Sequence, residues 1–384
     1  MTSSAPRHDI RDIALRLNAR IEEVAARLNL TGGAGYRANN ILYPLNPTRS
    51  DRRPGSFVIH LSGARRGWWR DYGDGEAGGD ALELVAYIKF GGDKSKAMLW
   101  ALDLLGLEKL TAPQQEAERA KLSQEREKAD KIALRDRERM RASARALWLR
   151  GMAAGELGYT DLYLKARGID MLARLGALPR CARDARITLP KGWAPQAGLE
   201  GSVLDGEGRA RAILLAVNDA RGHCATHRIY VYRRPDGALV KLPLVSDDAR
   251  AGCKSKFVYG SYPGGSIRVH RGASGKRLAE ASADEICIIT EGFENACGVA
   301  CDGAGSDDDH RVLAALSLGN LGQVELPDSI RHILLIGEND AHAEARASFE
   351  RACAQHHAKG RQVRCWWPPA HLNDVNDLIL AGQS

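Results

Sequence analysis

Two short apolar runs near the C-terminus each lead into a carboxylate, and this pairing limits the folds open to the chain more than any other feature. Ile286-Cys287-Ile288-Ile289-Thr290 leads into Glu291-Gly292-Phe293-Glu294-Asn295-Ala296, and Ile333-Leu334-Leu335-Ile336 leads into Gly337-Glu338-Asn339-Asp340. Runs that are apolar throughout, rather than alternating, suit strands buried on both faces, as in a parallel sheet covered by helices. Such a sheet binds ligands at the carboxyl ends of its strands. Gly292 lets the backbone turn sharply off the first strand into a helix. Glu338 and Asp340, two residues apart on an extended segment, point the same way. A third acidic patch, Asp374-Val375-Asn376-Asp377, follows an expected strand at 362–366. Carboxylates gathered at one sheet edge suit Mg²⁺, a hard cation that takes oxygen ligands. Metals held between carboxylates are a common means of phosphoryl transfer.

The 384 residues suffice for two or three domains. A net charge of +7 permits an anionic partner without requiring one. Eight cysteines all follow residue 180 and form no C-x-x-C pair; they are expected as free, mostly buried thiols of a reducing compartment. No apolar run approaches the roughly 20 residues of a membrane helix. The first residues, Met1 to Asp9, lack the apolar core of a signal peptide. The expectation is a cytoplasmic protein with no membrane partner.

Four segments are expected. Residues 1–110 begin with a helical pattern over 8–30, continue through a Gly/Asn/Pro-rich region with a short strand at 56–61, and close with helices at 81–90 and 94–105. Asp80 stands as the N-cap of the first of these two. Residues 111–152 form a charged helical linker with a sparse apolar seam. Residues 153–278 carry β-like runs such as 211–217 and 226–232 and form a mixed α+β unit. Residues 279–384 alternate strand and helix, which implies an α/β parallel sheet flanked by helices. Within it, 312–320 reads as a strand entering a glycine turn.

The order of acidic motifs resembles the Toprim domain of DNA primases, topoisomerases and some nucleases, and most closely the primase-like Toprim proteins of phages, plasmids and integrated mobile elements. On that resemblance Glu291 matches the glutamate that serves as general base or metal ligand. Glu338 and Asp340 match the metal pair, Asp374 the late acidic position, and Asn376-Asp377 the closing motif. Glu338 stands where the family has aspartate, and Ala343 where it has glycine. The segment from Tyr43 to Ala81 is similar to the zinc-ribbon of bacterial primases, but its four ligand positions fall on Tyr43, Asn46, Tyr72 and Gly75, so no zinc is expected. Tyr43, Trp68, Trp69 and Tyr72 are expected to fill the space of the metal. The alternative use for these aromatics, with Arg65, Arg66 and Arg70, is stacking on and steering single-stranded DNA.

The resemblance implies Mg²⁺ or Mn²⁺ at Glu291, Glu338, Asp340 and Asp374. It implies contacts with nucleotide or DNA from Arg228, Arg233, Arg234, Lys254, Lys256, Asn376 and Asp377, with His227 and Arg268 as further phosphate candidates. The implied activity is primer synthesis on single-stranded DNA from nucleoside triphosphates, for replication of a mobile element. A Toprim nuclease and a non-catalytic DNA-binding accessory protein remain as alternatives. The segment Gly272–Arg277 lacks Walker A spacing, so a replicative helicase would be a separate partner.

Overall fold

The computed structural model describes residues 9–38, 40–49, 51, 53–73, 77–107, 112–199, 203–246, 252–302, 310–339 and 343–382. The chain divides into two compact units, Met1–Asp136 and Arg137–Ser384.

The first unit opens with α1 (Ile10–Ala19) and α2 (Ile21–Arg27). The single helix expected over 8–30 is broken at Arg20, whose backbone leaves helical geometry (φ −111°) and serves as C-cap of one helix and N-cap of the next. The break lets Ile13 and Leu17 on one helix and Ile21 and Val24 on the other all reach the core. An antiparallel sheet follows in the order β1 (Tyr36–Ala38), β2 (Ile41–Tyr43), β3 (Phe57–His60), β4 (Trp69–Asp71) and β5 (Gly78–Gly79). Asp80 then caps α3 (Ala81–Phe90), accepting from the amides of Leu82 and Glu83 while Glu83 reaches back to the amide of Asp80. Asp93 caps α4 (Lys94–Leu105) by accepting from the amides of Ser95 and Lys96. Both helices have the bounds expected from sequence. The boundary between the units falls inside α5 (Ala112–Leu149).

Within this unit the ribbon-like ligand positions part company. Tyr43 stacks on Tyr36 with centroids 4.7 Å apart, and Tyr72 is 61% exposed. Gly75 lies outside the described residues. Asn46 is buried and donates to Asp71 at 2.6 Å and to the Tyr87 hydroxyl at 3.1 Å. Asp71, fully buried, also accepts from the Gly73 amide at 2.9 Å and pairs with Arg49 at 2.9 Å. A hydrogen-bonded ion pair therefore stands among the ligand positions, where aromatic filling was expected. Of the four aromatics only Trp69 is core, packed edge-on against Phe57.

The second unit continues with β6 (Met152–Ala153), α6 (Tyr159–Lys165), α7 (Met171–Leu175), β7 (Ala182–Thr188) and β8 (Trp193–Pro195). Two long strands come next, β9 (Arg209–Asp219) and β10 (Gly222–Arg233), followed by β11 (Leu239–Lys241), β12 (Leu244–Ser246), β13 (Cys253–Lys254), β14 (Lys256–Gly260) and β15 (Ser266–His270). Strand β9 buries nearly every side chain from Ala212 to Val217. The remainder alternates: β16 (Ile286–Thr290), α8 (Phe293–Asp302), β17 (His310–Ala314), α9 (Leu318–Leu321), β18 (His332–Ile336), α10 (Ala343–Ala358), β19 (Gln362–Trp366) and α11 (Val375–Ala381).

Eleven strands join one sheet along the path β11-β10-β9-β15-β17-β16-β18-β19, with β14 on β10, β7 on β9 and β6 on β7. From β17 to β19 all neighbours are parallel, as the alternating pattern implied. Strands β13, β12 and β8 make a separate small sheet. The strand expected over 312–320 ends at Ala314. Beyond it the amides of Ala315 and Leu316 donate to the carbonyls of Thr290 and Glu291, and Leu316 adopts a left-handed conformation (φ 72°) that turns the chain into α9. Cys181, Cys224, Cys287, Cys297 and Cys301 are buried, and all eight cysteines are free thiols. Among the described residues no helix is long and apolar enough to cross a membrane.

Candidate active site

The acidic residues meet at the carboxyl edge of the parallel strands. Glu291 is the first residue after β16, ahead of α8. Glu338 follows β18 by one glycine, and a Cβ on Gly337 would collide with the Trp367 indole, so only glycine lets the chain leave the strand there. Asp374 is the N-cap of α11 and accepts from the Asp377 amide at 3.0 Å. Asp340 lies outside the described residues. A small cleft of about 230 Å³ is lined by Glu291 and Glu338 together with Ile336, Arg346, Phe349 and Trp367.

The three carboxylates act on one another electrostatically. The Glu338 carboxyl is pushed up to about 7, first by burial and then by the negative charges of Glu291 and Asp374. Two groups oppose that rise: Asn295, whose amide donates to Glu338 Oε1 at 2.7 Å, and the positive charge of Lys256. Among the described residues no three His, Cys, Asp or Glu side chains are grouped so that together they could hold a metal ion. Mg²⁺ needs less than that, since one or two carboxylates suffice when water and phosphate fill the other positions. The repulsion that Glu291 and Asp374 exert on Glu338 is charge that a dication bound to one or two of these carboxylates would relieve.

Three residues that sequence reasoning did not single out hold this arrangement. Asn295 sits one helical turn beyond Glu291 and bonds Glu338, tying the two acidic strand ends together. The Asn339 side-chain amide reaches the carbonyls of Pro368, Pro369 and Leu372 at 2.8–3.0 Å, and its backbone amide donates to Asn373. Those contacts fix the loop that delivers Asp374. Glu294 is buried and accepts from the Tyr163 hydroxyl at 2.6 Å and Lys256 Nζ at 2.8 Å, with Lys241 Nζ at 3.5 Å. Burial works against ionisation of Glu294, but Lys256, Lys241 and Tyr163 outweigh it and hold the carboxyl well below the usual range. A signal was present in the motif itself, as Glu294 and Asn295 are polar residues on a helix otherwise rich in small apolar ones.

The remaining expected contacts are scattered. Lys256 is at the site, committed to Glu294. Lys254 lies 5.7 Å over the Trp193 ring. Arg228 is set among Tyr230, Phe257 and Tyr259, each ring about 6 Å away. Arg233 is exposed, and Arg234 is paired with Asp236 at 2.5 Å. Asn376 is buried and donates to the Arg167 carbonyl at 2.8 Å. Asp377 accepts from the Asn373 amide at 3.0 Å, so it braces the loop rather than opening onto the cleft. In the first unit Arg66 is exposed and Arg70 lies 5.4 Å over the Tyr72 ring.

The Toprim domain family matches residues 286–384, the stretch that carries this acidic edge. The matched stretch is similar to a Toprim domain. Its boundaries enclose β16 to α11, with Glu291, Glu338 and Asp374 inside. No curated protein matches the chain. Solved structures similar to it include the following three. The zinc-binding and RNA polymerase domains of Aquifex aeolicus primase are 15% identical over 96% of this chain and 82% of that one, with a TM-score of 0.33. A DNA primase domain from Pseudomonas aeruginosa is 20% identical over 57% of this chain and 66% of that one, with a TM-score of 0.31. The primase fragment of the bacteriophage T7 primase-helicase protein is 17% identical over 44% of this chain and 62% of that one, with a TM-score of 0.26.

Proposed function

We propose that the chain is a DNA primase-type nucleotidyltransferase that makes short primers on single-stranded DNA from nucleoside triphosphates, for replication of a mobile element in the cytoplasm. One observation carries the reading: Glu291, Glu338 and Asp374 converge at the carboxyl edge of a Toprim domain, with Lys256 beside them. The resemblance of residues 43–81 to a primase ribbon supports it further. A Toprim nuclease would use the same carboxylates with water as nucleophile.

Glu291, Glu338 and Asp374, with Asp340, would hold Mg²⁺ or Mn²⁺. A cation bound there would supply charge neutralisation for the triphosphate and Lewis acidity towards the attacking hydroxyl. The protein's own contributions are positional. Asn295 holds Glu338 in line with Glu291. Asn339 holds the loop of Asp374 against them. Lys256 adds fixed positive charge where phosphates enter, while Glu294 keeps its ammonium from swinging away. The chemical step joins the 3′-hydroxyl oxygen to the α-phosphorus and releases pyrophosphate, the hydroxyl proton passing to Glu291 or water. A separate helicase would supply the template strand.

The test is de novo primer synthesis by the purified chain on single-stranded DNA with labelled nucleoside triphosphates and Mg²⁺ or Mn²⁺, beside Glu291→Gln and Asp340→Asn. Short products in wild type, lost in both variants, are expected. Metal-dependent loss of the template without products would replace the primase by a nuclease. Neither activity, with DNA binding intact in all three proteins, would leave a DNA-binding accessory protein.

A further inference from the structure

The large sheet forks. One edge of β9 is shared, with β7 pairing along Arg209–Leu215 and β15 meeting only Val217 and Asn218. Strands β7 and β15 therefore diverge, and an open cleft of about 910 Å³ lies in the gap, walled by α7 and the last turns of α5. It shares no lining residue with the acidic cleft.

Among the described residues, eight arginines line this cleft, and no aspartate, glutamate or lysine does. They fall into two groups. Arg141, Arg268 and Arg311 are braced from behind. Arg141 forks Asp219 at 2.5 and 2.9 Å, Arg268 donates to the Asp219 carbonyl at 3.1 Å, and Arg311 pairs with buried Glu285. Arg221, 71% exposed, is 3.9 Å from Asp219. The other group, Arg145, Arg180, Arg271 and Arg277, is exposed and has no carboxylate partner among the described residues. Among the described residues, eight guanidiniums thus stand against two carboxylates, both already engaged. The field is felt at His223, which is held down to about 4, first by burial and then by Arg145 and Arg141.

An arginine cluster of this kind matches phosphate oxygens, which guanidinium forks bind in bidentate fashion. The lining also argues against base recognition. Trp148 is its one Trp, Tyr or Phe, and that ring is already engaged by Arg183 at 4.4 Å and His223 at 5.8 Å. Among the described residues the lining therefore offers no unengaged Trp, Tyr or Phe face for a base.

We infer that the cleft is a second nucleic-acid site, which grips the phosphodiester backbone of a single strand without reading its bases. It rests on the nucleic-acid part of the function proposed above but not on catalysis, since it needs neither the acidic cluster nor a metal. A strand held there is anchored by the braced arginines in the floor and gathered by the unpaired ones at the rim.

Binding of a short fluorescein-labelled oligothymidylate to the full chain, in EDTA and across a salt series, tests this. Arg145→Glu/Arg271→Glu is expected to weaken binding at least tenfold. It should also flatten the slope of log K against log salt by about 1.4, since each phosphate contact on a single strand contributes about 0.7. The single substitution Arg180→Gln, also at an exposed rim position, should weaken binding several-fold, and Arg351→Glu on α10 should change it less than twofold. Unchanged affinity and slope in the rim variants overturn the inference. So does unchanged oligonucleotide binding accompanied by lost binding of ATP, which would make the cleft a free-nucleotide site. Absence of primer synthesis leaves this readout intact, so the two proposals fail separately.

Discussion

Glu294→Gln removes a buried charge while keeping its shape, and the structure sets the size of the effect. The carboxylate accepts from Tyr163 and Lys256, with Lys241 nearby. A glutamine oxygen keeps the Tyr163 bond but turns an amide against two ammonium groups. Losing one partner of a buried ion pair costs about 3–5 kcal/mol when the other charge stays stranded. Here the lysine side chains are 33% and 37% exposed and can turn to water, so the charge-assisted bonds are discounted to about 2–3 kcal/mol in total. The double variant Glu294→Gln/Lys256→Met removes the mismatch and should recover about half of the loss. Urea unfolding of the four corners of this cycle, followed by tryptophan fluorescence, measures it. A loss below about 0.5 kcal/mol for Glu294→Gln, or a double variant no more stable than the single one, would refute the claim that Lys256 is chiefly a partner of Glu294. Lys256 would then return to being a free phosphate contact.

Two further outcomes are expected. Asp71→Asn should destabilise the first unit by about 1.5–3 kcal/mol, because it weakens the hydrogen bonds to Asn46 and Arg49 while Arg49, 26% exposed, keeps Asp51 as partner, and a zinc chelator should leave the melting temperature of the wild type unchanged. Stability should fall as pH drops from about 6.5 towards 4: burial holds His227 down to about 3 and His356 down to about 4, so the unfolded chain takes up protons that the folded one refuses. Each then removes about 1.4 kcal/mol per pH unit inside that window. A urea midpoint that rises on acidification would contradict the sign.

The parallel sheet and its acidic edge were legible because they rest on local pattern. Apolar runs such as Ile286–Thr290 fix strands buried on both faces, and the residue after such a run must emerge at the sheet edge. The ends of α3 and α4 were legible for a related reason, since Asp80 and Asp93 bond to amides only two or three residues away. What escaped depends on contacts far apart in sequence. Asn339 matters because Pro368–Leu372 happens to lie within reach, and Glu294 because β11, β14 and α6 bring Lys241, Lys256 and Tyr163 to it. The arginine cleft gathers side chains from Arg141 to Arg311 and has no motif at all. The kink at Arg20 was hidden because the apolar spacing continues through it, and the left-handed turn at Leu316 because nothing in that side chain favours it.

The position of β15 has a consequence for where this chain can be cut. The Toprim match begins at residue 286, yet the outer edge of β17 is covered by β15, through Ile267, Arg268 and His270. A fragment started at the family boundary would bare that edge along Val312–Ala314, a row of open amides and carbonyls on a strand that is apolar on both faces. Such an edge recruits strands from other molecules. The smallest soluble piece carrying the acidic cluster would therefore have to begin upstream of Ser266, with a segment that the family boundary leaves out.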